Sequence, residues 1–128
     1  MNRLRLALAA VLAASPASAL LAQSQTAQPS PRAWLQCRAC HTAKAGEANK
    51  VGPNLGKLFG ARAGTLRANY SYSPALKASG IVWNDKTLDA WLTNPKGFAE
   101  GTKMTFAGLS DAGERANVIA YLKAQSGK

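Results

Sequence analysis

Cys37-Arg38-Ala39-Cys40-His41 is the stretch that decides how this chain folds. Two thiols three positions apart, followed at once by an imidazole, form the pattern C-x-x-C-H, through which a haem is attached by two thioether bonds. On one turn of helix both sulfurs can reach the vinyl groups of one porphyrin, and His41 is then placed to bind the iron. The chain has no other Cys or His. The pattern therefore predicts one covalently attached haem c with its iron, held by Cys37, Cys40 and His41.

Other chemistry at these three residues is less compatible with the sequence. A structural zinc site usually needs four Cys or His ligands, or three with a water for catalysis, and the supply here ends at three. A thioredoxin-like redox pair is expected at the end of a strand in a βαβ pattern, whereas the residues around Cys37 are neither β-branched nor alternating. A disulfide between residues this close would close too small a loop to stabilise the fold much. Haem attachment is favoured over all three.

The first residues of the chain indicate export. Arg3 and Arg5 form a positive n-region, an apolar core follows up to residue 12, and Ala17-Ser18-Ala19 is a small-x-small cleavage site. A retained membrane anchor would need about 20 apolar residues, and Ser15-Pro16 interrupts the stretch before that length. We therefore expect residues 1–19 to be a secretory signal peptide, cleaved there or as late as residue 22, and the periplasm to be the destination.

Charge and length describe what remains after cleavage. Loss of Arg3 and Arg5 lowers the formal net charge from +10 to +8. Residues 20–29 are uncharged and rich in Gln, Ser, Thr and Ala, which predicts a flexible leader. Residues 30–128 form one domain, and in a chain this short a buried porphyrin would supply apolar surface that the side chains alone can hardly provide.

The first half of this domain shows one helix followed by loop. Ser30-Pro31 combines an N-cap hydroxyl with Pro at the first helical position, which predicts a helix that carries Trp34 and Leu35 toward the two cysteines. The C-x-x-C-H motif then lies at the C-terminal end of that helix. Residues 42–69 contain too many Gly and Pro residues for long elements and are predicted to be loop.

The second half shows three further helices. Ser73-Pro74 predicts a short helix that ends near Ser79-Gly80, and Asn84-Asp85 predicts another that ends near Asn94 because Pro95 follows. Ser110-Asp111 caps the last helix. The apolar residues expected to face inward are Leu88, Trp91 and Leu92 on the second of these helices and Val118, Ile119 and Leu122 on the third. No stretch resembles a strand pair, so the predicted fold class is all-α, with short helices and Gly/Pro-rich loops around one haem.

Met104 is the candidate for the second axial ligand. Once Met1 leaves with the signal peptide, Met104 is the only methionine, and it lies in a polar, Gly-bounded loop over residues 101–108 rather than in an apolar helix face. A thioether suits iron, and His/Met ligation raises the reduction potential relative to two imidazoles. It also fills both axial positions. The expected function is therefore electron transfer without enzymatic activity, and the alternative is a peroxidase-like enzyme or gas-binding cytochrome with an open iron.

From Cys37 onward the chain resembles the class I cytochromes c of the mitochondrial type, as found in many bacteria. The matching pieces are Cys37-Arg38-Ala39-Cys40-His41, Gly52-Pro53-Asn54-Leu55, Phe59-Gly60, Tyr70-Ser71-Tyr72, Gly80-Ile81-Val82-Trp83, Asn94-Pro95, Gly101-Thr102-Lys103-Met104, Phe106-Ala107-Gly108 and Ala120-Tyr121-Leu122. Their order and spacing fit throughout. The resemblance implies the cytochrome c-like fold and an electron carrier in which His41 and Met104 ligate the iron.

The resemblance also implies roles for four other residues. The Pro53 carbonyl should accept a hydrogen bond from the His41 ring and so set its orientation. Tyr72 and Trp83 match residues that donate to a haem propionate, and Thr102 matches a neighbour of the same group. The family commonly has Arg directly after the Phe-Gly pair, near a propionate, where this chain has Ala61 followed by Arg62.

The basic character of the chain predicts its partners. Lysines flank the segments expected around the exposed haem edge, namely Lys44, Lys50, Lys57, Lys77, Lys96 and Lys103. Positive charge there favours acidic redox proteins, such as a cytochrome oxidase, a quinol:cytochrome c reductase or a periplasmic dehydrogenase. Nucleic acid is a poor alternative, because the basic residues are not clustered with stacking aromatics and the protein is expected to be exported. A soluble monomer of the respiratory chain is the predicted form.

Overall fold

The computed structural model describes residues 31–126, so the predicted signal peptide and leader lie outside the described residues. Within this range the helices are α1 Trp34–Cys37, α2 Pro74–Ala78, α3 Asp85–Thr93, α4 Pro95–Phe98 and α5 Ala112–Ser126. The described residues form no β-strand, and Arg62 and Val82 form an isolated antiparallel bridge. The predicted all-α fold class is confirmed. None of the helices in this range is both long and apolar enough to cross a bilayer.

Three of the four helix starts predicted from capping residues are present. The Ser73 hydroxyl accepts a hydrogen bond from the Leu76 N–H at 3.2 Å and begins α2. Asn84 forms a capping box with Thr87 at the start of α3. Asp111 accepts from the Glu114 N–H at 2.8 Å at the start of α5. Each side chain satisfies a backbone N–H that has no partner within its helix.

Helix α4 was not predicted. Pro95 was interpreted only as the end of α3, but Pro is also favoured at the first position of a helix. The Asn94 side chain accepts a hydrogen bond from the Gly97 N–H at 3.0 Å, so Asn94 ends one helix and caps the next.

Ser30 of the predicted helix start at Ser30-Pro31 lies outside the described residues, and the helix begins later in the chain than predicted. Helix α1 begins only at Trp34, because the Trp34 and Leu35 N–H groups bond three residues back, to Pro31 and Arg32, in a tight turn. Trp34 is buried, whereas Leu35 is 49% exposed. The two side chains differ in exposure because neighbouring helical residues lie about 100° apart. The motif does lie at the helix end, where the His41 N–H donates to the Cys37 carbonyl at 2.9 Å.

Helices α3 and α5 pack against each other and form the core. Their predicted inward residues, Leu88, Trp91, Leu92, Val118, Ile119 and Leu122, are all buried, which confirms both faces. Arg115 pairs with Asp89 at 2.7 Å and Lys123 pairs with Asp85 at 2.6 Å across the two helices. Trp34 packs against Tyr121 with ring centroids 5.2 Å apart, so α1 is held to α5.

Lys57 has φ of +60°, in the left-handed region. This conformation costs an L-residue about 1–2 kcal/mol, and the greater freedom of Gly in the unfolded chain offsets part of any gain. We expect Lys57→Gly to raise the free energy of unfolding of the haem-containing protein by about 0.5–1 kcal/mol, measured by denaturant unfolding. Lys57→Ala removes the same charge but keeps Cβ and should give no gain. Equal gains from both variants would assign the effect to charge.

Candidate haem-binding site

One cavity of about 310 Å³ brings together residues far apart in the sequence. It is lined by all eight of the predicted site residues, namely Cys37, Cys40, His41, Pro53, Tyr72, Trp83, Thr102 and Met104. Apolar side chains from the helical core complete the wall, among them Leu88, Trp91 and Val118. An apolar cavity with a few polar groups is the usual character of a cofactor site.

The two thiols are free and partly buried. Burial raises the pKa of Cys37 to about 11, so this thiol stays protonated at neutral pH. A thiol used for disulfide exchange needs the opposite, a lowered pKa that supplies thiolate. The surroundings of Cys37 therefore do not favour redox exchange and are compatible with a thiol that is consumed in a permanent thioether.

The His41 ring is held in one orientation. Its Nδ1 lies 2.8 Å from the Pro53 carbonyl oxygen. Because a carbonyl only accepts, Nδ1 carries the hydrogen and Nε2 keeps its lone pair. Burial lowers the pKa of His41, the Pro53 bond opposes this, and the charge of Lys50 adds to the lowering. A neutral imidazole with an available Nε2 is the form that binds a metal.

Gly52 allows the backbone to pass against this ring. A Cβ placed on Gly52 would overlap the His41 imidazole. The Gly52 N–H also donates to the Cys40 carbonyl at 2.7 Å, which ties this loop to the motif. Gly is therefore needed here for close approach.

Met104 comes to the cavity from a loop that is fixed at two points. Its own N–H donates to the Thr102 hydroxyl at 3.3 Å. The Lys103 ammonium donates to the Ser71 carbonyl at 3.0 Å, next to Tyr72. Met104 is partly buried and packs against the hydrophobic core. The only thioether in residues 31–126 thus lies in the wall of the same cavity as the imidazole.

Two buried aromatic residues line another part of the cavity. Trp83 packs edge-to-face on Trp91, with centroids 5.5 Å apart. The Tyr72 hydroxyl oxygen accepts a hydrogen bond from the Arg67 N–H at 3.1 Å. Burial raises the pKa of Tyr72, and the hydrogen bond and the charge of Arg67 oppose this. Tyr72 therefore keeps its hydroxyl hydrogen at neutral pH and can donate it.

A polar cluster behind the cavity wall was missed by the sequence analysis. Asn54 is only 1% exposed. Its amide donates to the Thr42 hydroxyl and the Lys44 carbonyl, both at 2.8 Å, and its oxygen accepts from the Arg67 guanidinium at 2.7 Å. Arg67 lies in a loop with no hydrophobic period, so nothing in its sequence surroundings marks it. Arg62, by contrast, is exposed.

These residues fit a covalently attached haem. Two thiols, an oriented imidazole and a thioether line one apolar cavity. The thiols suit thioether attachment, and an imidazole nitrogen with a thioether sulfur is a ligand pair found on haem iron.

Known proteins are similar to this chain in sequence and in fold. Cytochrome c from Arabidopsis thaliana is 47% identical over 91 residues, which cover 71% of this chain and 80% of that protein. Cytochrome c from Theileria parva is 50% identical over 93 residues, covering 73% and 79%. The structure of cytochrome cH from Methylobacterium extorquens matches with a TM-score of 0.68 and 44% identity, over 72% of this chain and 91% of that one. No protein-family model matches the chain.

Proposed function

The chain belongs to the cytochrome c family and is an electron carrier with covalently bound haem c, and from this we propose that it passes single electrons between periplasmic or membrane redox complexes. The observation that carries the proposal is the single cavity that collects Cys37, Cys40, His41 and Met104. We assign the two thioether bonds to the cysteines and the two axial positions to His41 and Met104.

The chain's own residues explain how such a site would work. Haem iron supplies a one-electron change between the ferric and ferrous states. The Pro53 carbonyl holds the His41 ring in place, and the tethered 102–104 segment holds the thioether. If His41 and Met104 both bind the iron, the protein's own ligands would leave no position for oxygen or peroxide. Met104 therefore favours an electron carrier without enzymatic activity over a peroxidase-like or gas-binding protein.

The first test concerns attachment and export. We expect the secreted protein to have the mass of the chain cleaved after residue 19, or as late as 22, plus one haem. Intact-mass spectrometry of the periplasmic fraction measures this. Cys37→Ala/Cys40→Ala is the matched control and should carry no covalent haem. Haem that acidified organic solvent extracts from the wild type would contradict attachment.

The surface around the cavity opening supports docking to acidic partners. Four of the cavity-lining residues are themselves exposed and so mark the opening: Gln36, Val51, Lys103 and Thr105. All six lysines named in the sequence analysis are exposed as well. We propose that the protein, as a monomer, docks through Lys103 and the other exposed lysines on an oxidase, a quinol:cytochrome c reductase or a dehydrogenase, and does not bind nucleic acid.

Charge reversal at the opening should slow association. We expect Lys103→Glu to lower the second-order rate of electron transfer with an acidic redox protein at low salt, and to flatten its salt dependence, because exposed charges are screened over about 8–10 Å at physiological salt. Stopped-flow spectroscopy across a salt series measures both. Lys103→Gln also removes the ammonium that donates to Ser71 but adds no negative charge, so it separates the effect of charge reversal from the loss of this contact. Lys86→Glu, an exposed site on α3 that does not line the cavity, is the matched control. Rates indifferent to salt and to Lys103→Glu would contradict electrostatic docking.

A further inference from the structure

Arg67 carries a partly buried positive charge without a counter-ion in the described part of the chain. Its guanidinium donates to the Asn54 side-chain oxygen through Nε and Nη2, to the Leu66 carbonyl through Nη1 and to the Gly56 carbonyl through Nη2. All these acceptors are neutral. Within residues 31–126 the two ion pairs are Arg115 with Asp89 and Lys123 with Asp85. A charge held out of water is costly unless an opposite charge is near.

The position of Arg67 relates this charge to the cavity. The guanidinium is anchored on Asn54, whose two chain neighbours, Pro53 and Leu55, both line the cavity. Leu66, the residue before Arg67, lines it too. The backbone N–H of Arg67 donates to the Tyr72 hydroxyl oxygen, and this hydroxyl also lines the cavity and has a hydrogen to donate. A fixed cation and a neutral O–H donor therefore lie together at one edge.

Haem brings negative charge to such an edge, because it carries two carboxylate side chains. A carboxylate in a partly dry site is stabilised by a nearby guanidinium and by hydroxyl donors. The contacts of Arg67 use four of its five N–H groups, so the side chain is fixed in place and acts mainly through its charge.

We propose that Arg67 is a positioning residue that supplies the compensating charge for a haem carboxylate at the Tyr72 edge, and that this charge raises the reduction potential. The inference rests on the proposed haem site. Reduction adds one electron, so a fixed positive charge favours the ferrous form. Removing that charge should shift the electron-exchange equilibrium with a redox mediator by on the order of tenfold toward the ferric form, which corresponds to about 59 mV for a one-electron couple.

The test compares three variants of the haem-containing protein by potentiometric titration and by denaturant unfolding. Arg67→Gln removes the charge, Arg67→Lys keeps the charge but loses the fork of hydrogen bonds, and Arg62→Gln is the matched control in an exposed position of the same loop. We expect Arg67→Gln to shift the electron-exchange equilibrium about tenfold toward the ferric form, which lowers the potential. For Arg67→Lys we expect this equilibrium to stay within about threefold of the wild-type value, although the protein should unfold as easily as Arg67→Gln. Arg62→Gln should leave both quantities unchanged.

Two outcomes would overturn the proposal. One is an Arg67→Gln potential equal to that of Arg62→Gln. The other is a fall of about 59 mV in the potential of Arg67→Lys, because the effect would then follow the lost hydrogen bonds rather than the charge. If Arg67→Gln does not accumulate, Arg67→Lys decides alone on this second criterion. Absorption spectra of the wild type and Arg62→Gln report haem ligation separately, so a failure of the proposed site is distinguished from a failure of this inference.

Discussion

Met104→Ala should remove the weak sulfur-to-iron charge-transfer band of the ferric protein and lower its reduction potential. The thioether stabilises ferrous iron, and its loss should shift the potential by a sizeable part of the range of about 0.8 V that axial ligands control. The variant should also bind added ligands and gain peroxidase activity, because one axial position becomes free.

Absorption spectroscopy of the oxidised protein and potentiometric titration measure the first two effects. Thr105→Ala is the matched control, since Thr105 is the next residue of the same loop and also lines the cavity. A Met104→Ala protein with the wild-type band and potential would assign the second axial position to another residue.

Gly52→Ala should sharply reduce the yield of correctly ligated holoprotein. Gly52 does not have a positive φ, so Ala can adopt its backbone conformation, and the effect is purely steric. The new methyl group would occupy the place of the His41 ring, which must then move away from the Pro53 carbonyl. We expect less haem-containing protein per cell and an altered axial-ligand spectrum in what remains.

The measurements are haem content against total chain and the spectra of both oxidation states. Gly113→Ala is the matched control, because Gly113 does not line the cavity and its Cβ would meet only the Asp111 carboxylate, at 3.1 Å. Wild-type yield and spectrum in Gly52→Ala would show that the loop can give way and that close approach at Gly52 is not required.

The sequence was sufficient wherever the evidence is local. The attachment motif depends on the spacing of three residues, and the starts of α2, α3 and α5 depend on a capping side chain three positions before the N–H that it satisfies. The inward faces of α3 and α5 follow from helical periodicity. Met104 was chosen as the candidate ligand because so few candidates remain in the chain, and that choice needs no knowledge of the fold.

The sequence was insufficient where contacts between distant residues decide which side chains are buried or bonded. Trp34 and Leu35 are neighbours and both are apolar, but only Trp34 is buried, because it lies on the side of α1 that packs against Tyr121 of α5. The tether from Lys103 to Ser71 spans 32 positions. In the sequence these residues look like ordinary surface lysine and serine.

What the sequence determined by itself is therefore the cofactor chemistry, the all-α class and eight of the residues that line the cavity. Only the tertiary structure decided how these residues are held: the orientation of His41 against Pro53, the close approach of Gly52 and the burial of Asn54 with Arg67. The physical reason is range. Spacing, capping and periodicity act over a few residues, whereas burial and counter-charge depend on which distant loops meet. A loop without hydrophobic periodicity gives no signal in the sequence of what it contacts.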